Sequence, residues 1–484
     1  MCAAALIINI DSTILNVALP VLVRDLNATS SELQWIVDSY AMVFAGLLLV
    51  GGSLADRFGR RRFFLIGLVV FAAGSVGAAL SGDVTWLLAW RALMGAGAAL
   101  TIPASLSILN DVYREPTARA RAIGAWAGTI GLGIALGPIA GGLLLEQYWW
   151  GSVFLVNVPV AAAGFVGAVL LVPRSKSSNP RTADPIGAVL SIAGLGLLLW
   201  AIIEAPLSGW ASERVAEAGL GGVAVLVVFV GWEARSGHPL LPLGLFGDRR
   251  SSVAAGGEVL GALFVQTQFL QLDLGFSPLQ AGLRILPLAG VLVLSAGLSA
   301  QAVRAIGVKV TAAVGLVAIA GGLWQVSVVS SIATTYGDVL PGMVLIGLGA
   351  GLLLPTATNS VVGSVPHDDS GVGSAANAVA LQVGGALGVA VLGSVLSTRY
   401  QGQLSPVLVT QHLPGALTDA SLGSLGGALR VAGEVGDGTG PALAHAARVA
   451  FMSGSGLAMA VGAGVAVVGA VLVLALFPGL SRRS

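Results

Sequence analysis

The chain has 484 residues, 56% of them hydrophobic and only 10% charged, with 24 Lys and Arg against 23 Asp and Glu. Soluble domains carry roughly 25% charged residues, so the polar surface of a water-soluble body this size is missing, and the 69 glycines sit inside apolar runs without a collagen period. A net charge of +1 excludes nucleic acid as a main partner, because no basic face can supply the phosphate contacts. The single cysteine, Cys2, excludes an intrachain disulfide and a Cys-based zinc site. An all-α polytopic membrane protein remains.

A membrane helix needs about 20 mostly apolar residues. Such stretches lie near 3–23, 33–54, 63–81, 85–109, 122–145, 149–172, 185–204, 217–233, 252–272, 282–303, 309–330, 338–361, 373–397 and 448–477, fourteen spans in all. The start lacks a basic n-region and carries an early Asp11, so it reads as a first membrane helix and not as a cleaved leader. Alternate loops hold 17 of the 24 basic residues, which predicts both termini in the cytoplasm. Gly95–Pro103 in span 4 is echoed by Gly347–Pro355 in span 12 at an offset of 252 residues. Six spans per half would match span 4 to span 10, so two helices are inserted between the halves. The expected plan is 6+2+6: an N-terminal bundle over 1–172, two inserted helices with linkers over 173–250, and a C-terminal bundle over 251–484. The last includes an extracytoplasmic loop near 398–445.

In chain order, span 1 carries Asn9, Ser12 and Asn16 as one polar stripe beside Asp11, which is odd for a helix facing lipid. Span 2 carries Asp38 three residues past Trp35, either buried or at the interface. The turn after it reads Gly52-Ser53-Leu54-Ala55-Asp56-Arg57-Phe58-Gly59-Arg60-Arg61-Arg62. Its basic residues alone would anchor a cytoplasmic turn. Span 4 puts Arg91, Gly95 and Ala99 on one stripe, so a charge emerges from a face on which another helix can pack closely. A charge at bilayer depth costs about 2.5–3.5 kcal/mol even on the lenient insertion scale, and is normally paired or functional; the plain alternative is an Arg91 that snorkels. Span 5 repeats Gly133, Gly137 and Gly141 every four residues before Gly142, with Pro138 placed to bend the helix.

Several of these strings resemble one family. The turn after span 2 matches every position of the major facilitator superfamily loop signature, G-x-L-A-D-R-x-G-R-R/K. The resemblance implies a latch of Gly52, Asp56, Arg57, Gly59, Arg60 and Arg61 at the cytoplasmic mouth. Asp56 would face the start of span 11 near Lys309, and Arg60 or Arg61 would pair with Asp111 or Glu115. The equivalent turn, Arg304-Ala305-Ile306-Gly307-Val308-Lys309, keeps its glycine but has Arg304 in place of the aspartate. Span 4 resembles the superfamily's R-x-x-q-G-x-g-a-A string, with Met94 for the usual Gln. Span 5 resembles the exporters' G-x-x-x-G-P-x-x-G-G antiporter motif, which span 13 lacks, since Gly388-Val389 stands there. Asp11–Pro20, Gln34–Tyr40, Phe154–Pro159 and Pro278–Pro287 resemble the fourteen-span drug:proton antiporter family (DHA2), in its multidrug and quaternary-ammonium branch. The usual W-R-W is broken to Trp150-Gly151-Ser152, and 398–445 matches nothing.

The resemblance implies a proton-coupled exporter of hydrophobic, cationic drugs or toxic compounds, in the bacterial cytoplasmic membrane. Asp11 and Asp38 are the candidate proton carriers, tuned by Arg91, because desolvation favours a neutral carboxyl and a nearby guanidinium a charged one. A static Asp11–Arg91 pair fixing two helices is the alternative. Candidate substrate contacts are Asn16, Tyr40, Trp126, Phe154, Asn157, Glu258, Gln266, Gln268, Asn377 and Gln382. Glu258 could equally sit at the cytoplasmic mouth, and the amides could line a cavity or bond between helices, which is their commoner role. Gln271 joins them on the same terms. The sequence holds no Walker A string, nucleophile elbow or metal-ligand cluster, so neither enzyme chemistry, a cofactor nor a metal is expected. The expected partners are small substrates, protons and membrane lipids, around a monomer. Two other readings stay open: export of an endogenous lipid or secondary metabolite, and a non-transporting membrane sensor.

Overall fold

A computed structural model describes residues 1–113, 115–176, 184–236, 258–363, 370–411, 413–436 and 438–476. Every regular element among them is a helix. The first half comprises α1 (Cys2–Asp25), α2 (Ser30–Phe58), α3 (Arg60–Ala79), α4 (Val84–Val112), α5 (Pro116–Gln147), the short α6 (Ser152–Leu155) and α7 (Asn157–Leu171). Next come α8 (Pro185–Ser208) and α9 (Glu213–Arg235). The second half has α10 (Glu258–Gln268) with a π-helical turn Phe269–Asp273, then α11 (Pro278–Val329), α12 (Tyr336–Gly363), α13 (Ser370–Gln411), α14 (Gly415–Gly423), α15 (Leu425–Val435) and α16 (Gly440–Leu476). Among the described residues, eleven helical stretches are long and apolar enough to cross a membrane.

Local chemistry explains where the helices begin and break. A reciprocal capping box of Thr29 and Glu32 starts α2, and Ser277 with Gln280 starts α11 the same way. Asp83 caps α4 through the Trp86 amide, and Asp184 caps α8 through the Gly187 amide. The turn between α2 and α3 is a single residue, Gly59, at φ 116°; α11 breaks in the same fashion at Gly307, at φ 84°. A left-handed φ of this kind suits glycine and strains other residues, so the glycine kept in both turns has a backbone reason.

The core is continuous through both halves. Within the first half α4 packs between α2 and α3, and α1 lies along α5; in the second half α11 packs on α12 and α16. The halves meet along two seams, α5 against α11 and α2 against α13, with α8 touching both α2 and α13. The side-chain hydrogen bonds joining the halves gather at the end opposite Gly59. Gln271 donates to the Val17 carbonyl at 2.9 Å, Ser277 bonds Glu146, and Arg430 bonds Asn27. At the Gly59 end the polar contacts described stay within the first half: Arg60 to Asp111, and Arg61 to α7.

The stretch 398–445, read above as a loop, is mostly helical. α13 runs on to Gln411, α14 and α15 fold over the end of the bundle, and α16 starts at Gly440. Buried Leu425, Ala428, Val431 and Ala432 give α15 one apolar face, and the Tyr400 hydroxyl donates to the carbonyls of Ser421 and Ser424 at 2.8 and 3.2 Å.

Candidate functional site

The sequence places Asp11 in α1, Arg91 in α4 and Asn157 at the start of α7, and the fold brings the three together in the interior of the first half. Asp11 is 0% exposed and Arg91 1%. The Arg91 Nη1 donates to Asp11 Oδ2 at 2.6 Å, and its Nε to the Ile36 carbonyl of α2 at 3.0 Å. Asn157 Nδ2 donates to the other Asp11 oxygen at 2.9 Å and to Ser75 Oγ of α3 at 3.2 Å. The guanidinium also lies 4.4 Å from the Tyr40 ring centre and 6.0 Å from that of Phe154. The ion pair therefore touches α1, α2, α4, α6 and α7, and Asn157 extends the network to α3. Arg91 does not snorkel.

Asp38 has no such setting. It is fully buried, and neither carboxylate oxygen has a hydrogen-bond partner among the described residues. Arg91 reaches α2 on the face of Ile36 and Tyr40, while at 100° per residue Asp38 lies on the stripe of Gln34 and Ala41. That stripe turns away from α4 towards α8 and α13: Gln34 lies against Gly393 of α13, and Ala41 packs in a cluster with Leu199, Ile203, Ala386 and Ala390.

The antiporter string of α5 has two working faces. A Cβ at Gly133 would fall 2.8 Å from the Asn9 Cβ and 2.9 Å from the Leu6 carbonyl of α1. Gly137 and Gly141 meet Thr13 and Ile14 further along, and Thr13 Oγ1 donates to the Gly133 carbonyl at 3.2 Å. On the other face Gly142 abuts Leu279, and the Pro138 carbonyl abuts Gly282, both of α11. The string thus presses one helix against its own half and against the other half at once.

In the Gly59 turn, Arg60 Nε pairs with Asp56 at 2.8 Å, and its Nη1 lies 3.7 Å from Asp111. Arg61 donates to the carbonyls of Val172 and Val169 instead of to an acid. Asp56 is held by Arg60, and the expected contact with the start of the span near Lys309 is not among those found. Gly52 faces Pro103 of α4, and Arg57 lies over the exposed Phe58 ring.

The candidate substrate contacts divide. Tyr40, Phe154 and Asn157 belong to the Asp11–Arg91 network and are buried, and Asn157 bonds between helices. Asn16 donates to the Ser12 carbonyl and Gln268 to the Phe264 carbonyl, each within its own helix. Gln266 makes a weak contact with the Met343 sulfur at 3.9 Å. Trp126 donates to Ser105 Oγ at 3.1 Å and stays half-buried, as does Gln382. The side chains of Glu258 and Asn377 lie outside the described residues. Ser75 was missed, since a lone serine in an apolar helix carries no spacing signal.

The Major Facilitator Superfamily model matches residues 1–389. The chain is 36% identical over 97% of its length to "Multidrug efflux pump LfrA" of Mycolicibacterium smegmatis, covering 92% of that protein. It is 34% identical to the "Tetracenomycin C resistance and export protein" of Streptomyces glaucescens, covering 97% of this chain and 89% of the relative. Against the "Methyl viologen resistance protein SmvA" of Salmonella typhimurium it is 30% identical over 92% and 90%. Among solved structures, an inward-facing, occupied bacterial homologue of the human lysosomal transporter Spinster superposes with a TM-score of 0.65 at 17% identity, over 98% of this chain and 96% of that one. A peptide transporter, POT, in complex with sulfate gives 0.63 at 16%, over 98% and 93%. The likeness to solved structures shows the fold, and with the family match and the curated relatives it places the chain in the Major Facilitator Superfamily, as a multi-pass membrane protein.

Proposed function

We propose that the protein is a proton-coupled antiporter that exports hydrophobic, cationic drugs or toxic compounds across the bacterial cytoplasmic membrane. The observation that carries this reading is a pair of buried aspartates in contrasting settings. Asp11 is fully paired by Arg91 and Asn157, while Asp38 is buried without a partner. A buried carboxyl with no bonded partner among the described residues, close in the same bundle to a buried ion pair, offers a site at which a proton and a cationic substrate can compete. Relatives named for efflux of drugs and of methyl viologen support the substrate class.

The supporting architecture is fourteen crossings in a 6+2+6 plan. To the eleven apolar stretches are added α5, the Glu258–Asp273 segment, and the division of the 52-residue α11 at Gly307. The bias of basic residues puts both termini and the Gly59 turn in the cytoplasm. The seams between the halves are then closed on the outer side, which is an inward-facing arrangement. Export follows by alternating access: cationic substrate enters from the cytoplasm as the proton leaves, the halves rock, and outer protons displace the substrate. The proton gradient is the energy source: for a neutral substrate one proton gains about 2.3 kcal/mol per 100 mV against about 1.4 kcal/mol for a tenfold gradient, and for a monocation exchanged against one proton the electrical contribution cancels and the pH gradient drives export. Lipid and substrates are the partners of a monomer.

The test is uptake of a cationic dye into everted vesicles, whose lumen corresponds to the outer side, under an imposed pH gradient with the lumen acidic. Wild type accumulates dye with the gradient, and Asp11→Asn and Asp38→Asn, still folded, do not. Full gradient-driven transport in both variants contradicts the proposal. A second reading, export of an endogenous secondary metabolite by the same machinery, is favoured by the relative named for tetracenomycin C export; biosynthetic genes beside this one would support it.

A further inference from the structure

Helix α8 follows the first half in the chain and bonds to both halves at its outer end. Pro206 lacks an amide hydrogen, so the Ile202 carbonyl one turn earlier has no donor within the helix. A carbonyl left open at membrane depth is costly, and neighbouring hydroxyls close it. Here Ser394 of α13, fully buried, donates to the Ile202 carbonyl at 2.6 Å. The same hydroxyl oxygen lies 3.4 Å from Gln34 Oε1 of α2, so three helices meet at one side chain. Just beyond α8 the Trp210 indole donates to Thr398 of α13 at 3.1 Å.

Towards the first half the contact of α8 is continuous. Ser31 of α2 donates to the Ile203 carbonyl at 3.2 Å, Ile192 sits on Gly46, and a Cβ at Gly196 would lie 3.1 Å from the Met42 sulfur. The linker before α8 is held by the same half, since the Arg60 amide donates to the Ser175 carbonyl at 3.0 Å. Against α13 the packing below Ser394 is looser. Ala386 and Ala390 present small side chains to Leu199, and a gap remains between Leu195 and Val383. Helix α8 is thus attached to the first half along its length, and the polar bonds described between it and the second half lie at its outer end.

We propose that α8 rides on the first half and clasps the second, with Ser394 and Pro206 as the positioning residues of the clasp. With the outer end shut, Ser394 closes the Ile202 carbonyl that Pro206 has opened. Opening that end carries α13 away from α2, and the carbonyl loses its donor, at the cost of an unsatisfied polar group. The clasp therefore favours the inward-facing arrangement and sets how often the outer end opens. It acts on the balance of the cycle through a backbone carbonyl and not through a charge. The inference rests on the alternating-access cycle proposed above and gives the inserted helix a part in it.

The experiment reads the seam without transport. In a Cys2→Ser background, spin labels at Trp86→Cys and Val409→Cys, both exposed at the outer end of opposite halves, report the distance between halves in lipid nanodiscs. Ser394→Ala should raise the long-distance population relative to the short one at least about threefold, the scale of one lost hydrogen bond. Pro206→Ala, which gives the Ile202 carbonyl an amide donor in both arrangements, should raise it as well. In the Pro206→Ala background Ser394→Ala should add less than about twofold, because the bond it removes no longer closes an open carbonyl. Ser191→Ala, whose hydroxyl bonds within α8, should leave the ratio as in wild type. An unchanged ratio in Ser394→Ala, effects that multiply in the double variant, or an equal rise in Ser191→Ala overturns the clasp. Gradient-driven dye uptake with a ratio unmoved by Ser394→Ala overturns the clasp and spares the antiporter; a ratio that moves as expected with gradient-independent uptake does the reverse.

Discussion

At the scale of single residues, the Asp11–Arg91 pair is worth most when it is broken. Its charges are compensated by the 2.6 Å contact, by Asn157, and by the Ile36 carbonyl. Removing one partner strands a buried charge, which costs about 3–5 kcal/mol where such pairs have been cut. Arg91→Met should therefore lower unfolding stability by about that amount, and adding Asp11→Asn should restore a large part of it. A thermal or denaturant unfolding series on the two single variants and the double variant checks this; additive losses would contradict the pairing. Asn157→Ala removes one hydrogen bond to a charged group and should cost about 1.5–3 kcal/mol, with the loss absent in an Asp11→Asn background. The sequence marks Asp11, Asp38 and Arg91 as buried charges by their place in apolar runs. It does not say which aspartate Arg91 takes, because the choice depends on azimuths of three helices that meet only in the fold. The partners of Asn157 are not legible for the same reason: Asp11 and Ser75 come from α1 and α3, far away in the chain.

Elements show the same division between local and long-range information. The spans, the caps at Thr29 and Ser277, and the glycine turns are legible because each is set by residues within one turn of chain. Gly59→Ala and Gly307→Ala should each cost about 1–2 kcal/mol, the penalty for a left-handed residue with a Cβ, and unfolding midpoints of the two variants should fall together. Helix α15 is missed by the span criterion: Leu425, Ala428 and Val431 recur at helical spacing, but it is too short and too rich in Gly to register as a span. The ion pairs of the Gly59 turn are partly exposed, so Asp56→Asn should change stability by less than about 1 kcal/mol. A latch role would appear instead as a slower transport cycle in the same variant, measured as dye efflux at saturating gradient. The stripe of α5 is legible as a close-packing face; that Gly142 and the Pro138 carbonyl meet the other half is not, because Leu279 and Gly282 lie far along the chain.

For the whole molecule, the two halves and the inserted helices form one mechanical unit. The α5–α11 and α2–α13 seams close at the end where Asn27, Glu146 and Gln271 bond across, and α8 spans the second seam. The internal repeat predicts two related halves with two helices between them. That the insertion would touch both halves was not foretold, since hydropathy places a helix in the bilayer and says nothing of its neighbours. Asp38, whose carboxylate oxygens have no hydrogen-bond partner among the described residues, lies on the stripe of α2 that turns towards that seam. The most direct measurement of the central claim follows dye and proton together: purified protein in liposomes, an imposed pH gradient, a monocationic dye, and a lumenal pH indicator. The account predicts that dye accumulation against its gradient is matched by proton movement in the opposite direction, and that a protonophore abolishes both. Dye accumulation with no counter-movement of protons, unaffected by the protonophore, would contradict it.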